Sequence, residues 1–409
     1  MAPAAGAVTF STNLRPGTRD SSLADRPAIH WDRAITLAAI VFLASFSLFL
    51  FSGTLPIYLY RDRGFSLSTV GLLVGLAFGV QLVATLLSGP VIDRWGAGLA
   101  LRVGPALYLA AALLFVLAPD VLPIALARVL QGLGIALLLP AAYALLPSLV
   151  GPRQRATAFG VVGVIQNMAL AIAPPLGLWL LSRGPRVLFG MAVATAAAGI
   201  VVGLRLRAGR PSVARAGVFT YRASWTPLLV ATFLTIVYWG VITAFLPIYV
   251  TQHHGGNVGW FFTADAIAIM LLRIPAGWLT DRIGTRWLLV TGIVLTDLAV
   301  LGLLWPPSLA VLVLSGAGTG AGAAFLIPPT LLELSKRSDE GDRGTAMALF
   351  SSSFAAALGV GSVGGTPLVA HFGFLATLVL SAAVCLAAAP IVVVTLRSGE
   401  DERLRLPPA

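Results

Sequence analysis

Four charged residues stand inside stretches of sequence that are otherwise almost wholly apolar: Arg128, Asp265, Arg273 and Asp297. Charges in such settings are expensive to hold, and where they persist they face protein or water and mark ion or substrate paths. A carboxyl can take up and release a proton; a guanidinium can hold an anion or tie down backbone carbonyls. Counting rises along consecutive helices places Arg273 and Asp297 at depths of roughly 12 and 16 Å. An Arg273–Asp297 ion pair is therefore expected, and a purely structural role is open to it. Asp265 lies nearer the opposite surface with no obvious partner. That setting suits a proton carrier, or a structural aspartate held by hydrogen bonds. Arg128 lies two turns into its segment, so it should face protein or water.

The elements that carry these charges follow from composition. Hydrophobic residues make up 58% of the 409 residues and charged ones 11%, with mean hydropathy +0.92. Soluble proteins have about 25% charged residues. The chain therefore reads as a polytopic membrane protein. A water-soluble enzyme, a nucleic-acid binder and a disordered scaffold are excluded. One cysteine, Cys385, leaves no disulfide framework and no thiolate metal cluster.

A bilayer core of roughly 30 Å needs about 20 apolar residues per helix. Twelve segments meet that rule: about 35–60, 66–89, 101–119, 121–149, 156–182 and 185–204, then 225–250, 258–280, 287–305, 309–333, 345–370 and 374–396. The expected fold is all-α, with a bundle at 35–204, a basic linker at 205–224 and a second bundle at 225–396. The tails are 1–34, polar and read as disordered, and 397–409. With the N-terminus inside, inner loops and tails hold 21 of the 27 Lys and Arg, and outer loops hold four. That bias puts both termini in the cytoplasm of a cell bounded by this membrane. The linker Arg205–Arg222 has five arginines and no acid, and should lie against anionic headgroups.

The two bundles are copies. At an offset of 188 residues, Gly89, Asp93, Arg94 and Gly96 recur as Gly277, Asp281, Arg282 and Gly284. Gly132, Gly134 and Pro140 recur as Gly320, Gly322 and Pro328. Six helices per copy is an even number, so both copies enter from the same side. They are parallel repeats about an axis along the membrane normal, with a substrate site expected near the midplane between them. The charges are not repeated: Arg128 answers to Gly316, Asp265 to Ala77, Asp297 to Leu109.

These residues resemble the major facilitator superfamily over about 35–396. Its loop signature appears as Gly89-Pro90-Val91-Ile92-Asp93-Arg94-Trp95-Gly96, without the basic end, and more fully as Gly277 to Arg286. Its fourth-helix signature appears as Arg128, Gln131, Gly132 and Gly134. The fifth-helix antiporter signature survives only as Ala173-Pro174-Pro175-Leu176-Gly177. The resemblance implies twelve helices in two pseudo-symmetric six-helix bundles around a cavity. It also implies alternating access and a gate latch at the Asp-Arg-x-Gly loops. Glu333, whose counterpart is Leu145, could join Arg282 or Arg343 on the inner face. Arg128 is implied in proton coupling or in contact with a substrate anion.

The resemblance also implies that the first, fourth, seventh and tenth helices line the cavity. Phe42, Ser45, Phe46 and Phe49 on the first, Gln131 on the fourth, and Tyr238, Trp239 and Thr243 on the seventh are candidates, with Gln166 and Asn167 on the fifth. Aromatics with a few amides and hydroxyls suit an amphipathic or apolar substrate better than a free sugar. The expected activity is secondary transport, proton-driven efflux of such a compound. Import of a small metabolite and a transport-inactive sensor are the alternatives. No enzyme activity or cofactor is expected, and the chain should work as a monomer in the lipid bilayer. Two motifs are set aside. Gly359-Val360-Gly361-Ser362-Val363-Gly364 matches a dinucleotide fingerprint but follows no strand, and reads as a close-packing stretch. His253 and His254 lack further ligands nearby for a metal.

Overall fold

The computed structural model describes residues 31–117, 120–150, 155–206, 221–339 and 342–405. The side chains of Asp93, Ser148, Arg155, Ala156, Asp281 and 397–405 are outside that description, as are residues 1–30 and most of the linker. Among the described residues, eleven helical stretches are long and apolar enough to cross a membrane. The last, Arg343–Leu396, has 54 residues. At 1.5 Å per residue that is about 80 Å, enough for two crossings. The chain turns back at Gly373, whose φ of 82° strongly favours a residue without Cβ. Twelve crossings result, and the protein is an all-α, multi-pass membrane protein.

The crossings are α1 (Trp31–Asp62), α2 (Leu67–Trp95), α3 (Ala97–Leu117), α4 (Val121–Leu145), α5 (Arg155–Arg183) and α6 (Pro185–Arg205) in the first half. The second half has α7 (Thr226–Gln252), α8 (Gly259–Ile283), α9 (Thr285–Gly302), α10 (Leu309–Lys336), α11 (343–372) and α12 (374–405). Helices are the only open way to satisfy backbone groups in hydrocarbon. The chain is helical from Trp31, earlier than the apolar run at 35, and to Arg405, past the expected end at 396. Hydropathy marks where lipid ends; the helical hydrogen-bond ladder need not stop there. Ser66 and Ser308 cap α2 and α10 by accepting from the backbone N–H of Thr69 and Val311, at 3.2 and 3.3 Å.

The repeated glycines set the packing within each half. A Cβ on Gly132 would stand 2.4 Å from the Ala77 carbonyl oxygen, and one on Gly320 would stand 2.1 Å from that of Asp265. Gly134 lies on the Tyr108 ring, and Gly322 on Thr296. So α2 meets α4, and α8 meets α10, backbone to backbone. The set-aside glycine stretch does the same work: Gly361 lies against Gly240 and the Val237 carbonyl of α7.

Between the halves, packing is lopsided. One large apolar cluster, with Phe51, Tyr58, Phe189, Phe245, Phe261 and Phe262 among its members, draws on both halves at the side far from the termini. There Gly71 touches Thr366 and Ser362, Gly259 touches Pro175, and Gly53 touches Phe262. Among the described residues, three hydrogen bonds cross the seam: Thr263 to the Ala171 carbonyl (2.6 Å), Asn257 to the Pro175 carbonyl (3.2 Å), and Gln252 to Tyr60 (3.2 Å). On the side of the termini, by contrast, each core cluster stays within one half. Gly89, Gly160, Gly277 and Gly344, one in each of α2, α5, α8 and α11, have open space where a Cβ would go. The far side is sealed and the terminal side is parted, leaving a cleft between the halves.

Candidate functional site

Arg128 is buried in α4 and is satisfied within its own half. Its Nε donates to the Leu73 carbonyl at 2.9 Å and its Nη2 to that of Val74 at 2.7 Å, both on α2, while Nη1 donates to Gln131 Oε1. The guanidinium therefore clips α4 to α2, and Gln131 is a buried partner of it. Both are buried where α4 meets α2.

Asp265 occupies the matching joint of the second half. It is buried between α8 and α10, and Thr319 Oγ1 donates to its Oδ1 at 2.9 Å. Thr319 is the counterpart of Gln131, and Gly316, the counterpart of Arg128, lies against the Phe261 carbonyl. The expectation that Asp265 has no partner is thus corrected: a hydroxyl serves it, and no cation among the described residues does.

The Arg273–Asp297 pair does not form. Both depths were plausible, but depth carries no azimuth. Asp297 turns into the second half, where its carboxylate oxygens meet no nitrogen or oxygen donor among the described residues; the Cys385 thiol is its neighbour. Tyr238 is buried nearby, close to Asp265, Thr296 and Asp297. It belongs to this pocket of polar groups, not to the cavity wall. Arg273 turns the other way, onto Gly163 of α5 in the first half.

The remaining candidates divide. Phe42, Phe49 and Trp239 are half-buried against the underside of the far-side seal, and Phe46 is buried within it. Phe42 and Phe46 have ring centroids 5.6 Å apart, and Trp239 lies 5.8 and 5.9 Å from Phe261 and Phe262. Ser45 is buried. Thr243 spends its hydroxyl on the Gly240 carbonyl, and Asn167 its amide on the Gly163 carbonyl. Gln166, half-buried one turn from Gly163, makes no hydrogen bond to any described residue.

At the terminal side, Gly96 and Gly284 turn the chain with φ of 86° and 81°. The side chains of Asp93 and Asp281 lie outside the described residues. Arg94 is exposed, Arg282 stacks on Trp278 at 3.8 Å, and Arg286 on Trp287 at 4.7 Å. Glu333 reaches neither Arg282 nor Arg343. It pairs with Lys336 (3.6 Å) and Arg337 (3.2 Å), the cations three and four residues along its own helix. Sequence reasoning missed Arg337, which also donates to the Ser224 and Thr395 carbonyls and so ties α10 to the start of α7 and to α12. It missed Arg222 as well. That linker arginine is held by Asp339 and Asp342, and these contacts raise its pKa; linker residues 207–220, expected against lipid headgroups, lie outside the described residues.

Two six-helix repeats closed over one face and parted at the other define a membrane transporter, not an enzyme. The chain matches the model of the Major Facilitator Superfamily over residues 37–257 and 228–409, and it belongs to that superfamily. It is 29% identical over 370 residues to an uncharacterized MFS-type transporter of Salmonella typhimurium, covering 84% of this chain and 91% of that one. It is 26% identical over 149 residues to the quinolone resistance protein NorA of Staphylococcus aureus, covering 36% and 38%. Among solved structures it is similar in fold to a peptide transporter POT in complex with sulfate (TM-score 0.74, 18% identity, covering 90% and 94%). A nucleoside transporter NupG (TM-score 0.71, 14%, covering 89% and 99%) and the human organic anion transporter MFSD10 (0.67, 16%, covering 88% and 98%) share the fold too.

Proposed function

We propose that this chain is a proton-coupled secondary transporter that exports a small amphipathic or hydrophobic compound by alternating access. In this reading it works as a monomer in the cell's plasma membrane, with both termini in the cytoplasm. The observation that carries the coupling is Asp265: a buried carboxyl at a helix joint with a hydroxyl partner and no cation among the described residues. Taking up or releasing a proton there changes the charge buried between α8 and α10, a local event that biases the arrangement of the halves. Asp297, a short way across the same half, is the alternative carrier. The half-buried aromatics under the seal favour an amphipathic substrate, and the partial likeness to a quinolone resistance protein favours export. The parted terminal side is then the cytoplasmic loading state, and the Asp-Arg-x-Gly loops with Asp93 and Asp281 are its gate.

The test is flux in proteoliposomes with an imposed pH gradient, screened over amphipathic compounds. Export predicts solute moving uphill in exchange for protons. Accumulation in the same direction as the protons would make the chain an importer. Flux indifferent to the gradient would remove the coupling altogether.

A further inference from the structure

We infer that Arg273, with Gln166, forms a recognition point for a negatively charged group on the substrate, so that the compound carried is an amphipathic organic anion. This rests on the reading of the cleft as the substrate path.

The seam between α5 and α8 closes rung by rung from the far side. Gly259 meets Pro175, Thr263 bonds to Ala171, and Arg273 lies on Gly163. Beyond that rung the helices part, since Gly277 on α8 and Gly160 on α5 both face open space. Arg273 therefore stands at the apex of the cleft, about 15 Å from the terminal end of its helix. Its guanidinium can rest there because residue 163 has no side chain: a Cβ would stand 2.5 Å from Nη1. No hydrogen bond or ion pair joins Arg273 to a described residue, in contrast to Arg128, which has three acceptors. An unpaired guanidinium this deep in the membrane needs an anion or water to complete it, and it presents a fork of donors matched to a carboxylate or sulfonate.

Three neighbours add to the site. Gln166 lies one turn along α5 from Gly163, on the same face, with its amide unspent. Tyr143 of α4 is close enough to feel the Arg273 charge and packs against Phe159, ring centroids 5.3 Å apart and planes tilted by 39°. Charge, amide and rings together fit an aromatic anion. The counterparts of Arg273 and Gly163 in the other halves are Thr85 and Ser351, so the repeat supplies no second copy.

The experiment is equilibrium binding to the purified full chain, read by thermal stabilisation. The probes are naphthalene-2-sulfonate and benzoate as aromatic anions, and tetraphenylphosphonium as an aromatic cation. The wild type should bind the anions in preference to the cation. Arg273→Gln should weaken anion binding by about tenfold or more, the loss of one charge-assisted contact, while Arg273→Lys keeps part of it. If Arg273→Gln does not fold, Gln166→Leu supplies the second reading, with a smaller loss for the anions alone. No anion binding to the wild type, or anion binding unchanged in these variants, overturns the proposal. Proteoliposome flux separates it from the broader reading. Arg273-dependent anion binding without proton-driven flux leaves this site standing and removes the coupling. Proton-driven movement of tetraphenylphosphonium, with no anion bound, does the reverse.

Discussion

The α2–α4 and α8–α10 joints are one piece of architecture used twice, and their side chains have gone opposite ways. In both, a glycine on the later helix sits on a backbone carbonyl of the earlier one, Gly132 on Ala77 and Gly320 on Asp265. In the first half Arg128 and Gln131 fill the joint, and each of the cation's three nitrogens has an acceptor. In the second half Gly316 and Thr319 stand at those positions, and the space goes to an acid with one hydroxyl donor. A cation satisfied by carbonyls fixes the angle between two helices. An acid held by one hydroxyl leaves its own charge free to change. The first joint is fixed by its cation; in the proposed coupling, the second is the one that responds.

That contrast can be broken or sharpened by substitution, taken from the largest expected loss of stability to the smallest. Arg128→Ala removes three hydrogen bonds made by a buried cation and leaves the Gln131 amide oxygen without its donor, and hydrogen bonds to a charged group are worth about 1.5–3 kcal/mol each. A loss of about 3 kcal/mol or more is expected, read as a lower melting temperature in detergent. Arg128→Lys should fall between, because a point charge cannot span Leu73, Val74 and Gln131 together. An Arg128→Ala chain as stable as the wild type would refute the clip.

Gly132→Ala and Gly320→Ala should each cost about 1–3 kcal/mol, since the methyl meets backbone and the helices must separate. The measurement is the same melt, and equal losses are the point: one tolerant joint would mean the two are not equivalent. Asp265→Asn should cost less, about 1 kcal/mol, because the amide oxygen still accepts from Thr319. Its effect appears in proteoliposomes, where substrate still binds but the pH gradient no longer drives uphill flux. Retained drive in this variant would shift the role to Asp297. Glu333→Leu, which gives the second half the residue of the first, should change stability by less than about 1 kcal/mol, since its partners Lys336 and Arg337 remain partly in water.

The crossings and the duplication were legible because both are written in residue type and spacing. Apolar runs mark the helices, and Asp-Arg-x-Gly at two equivalent loops cannot be matched by chance leucines. The site was legible only in its membership. Arg128, Asp265, Arg273 and Asp297 were all found as misplaced charges, but their partners depend on helix rotation, which an apolar run hardly encodes. Neighbours on α7 show the difficulty: Tyr238 lies by the second half's polar pocket, while Trp239, one position on, packs under the seal. The Arg273–Asp297 expectation failed for the same reason. Arg337 and Arg222 were overlooked because arginines beside a membrane have an ordinary reading as headgroup contacts, and nothing local in sequence reveals Asp339 and Asp342 waiting for one of them.

The separateness of the cores on the terminal side bears on the order of biosynthesis. Every member of the first half's own cluster there falls between Leu37 and Leu206, so it draws nothing from later sequence. A translating ribosome will have delivered all of it before Trp225, the buried anchor of the second half, emerges. Units of this kind fold as they are made, N-terminal first. The far-side cluster, which needs Phe51 and Phe245 alike, is then the last contact to mature. The face that locks the finished protein is also the one that nascent chains must leave open longest.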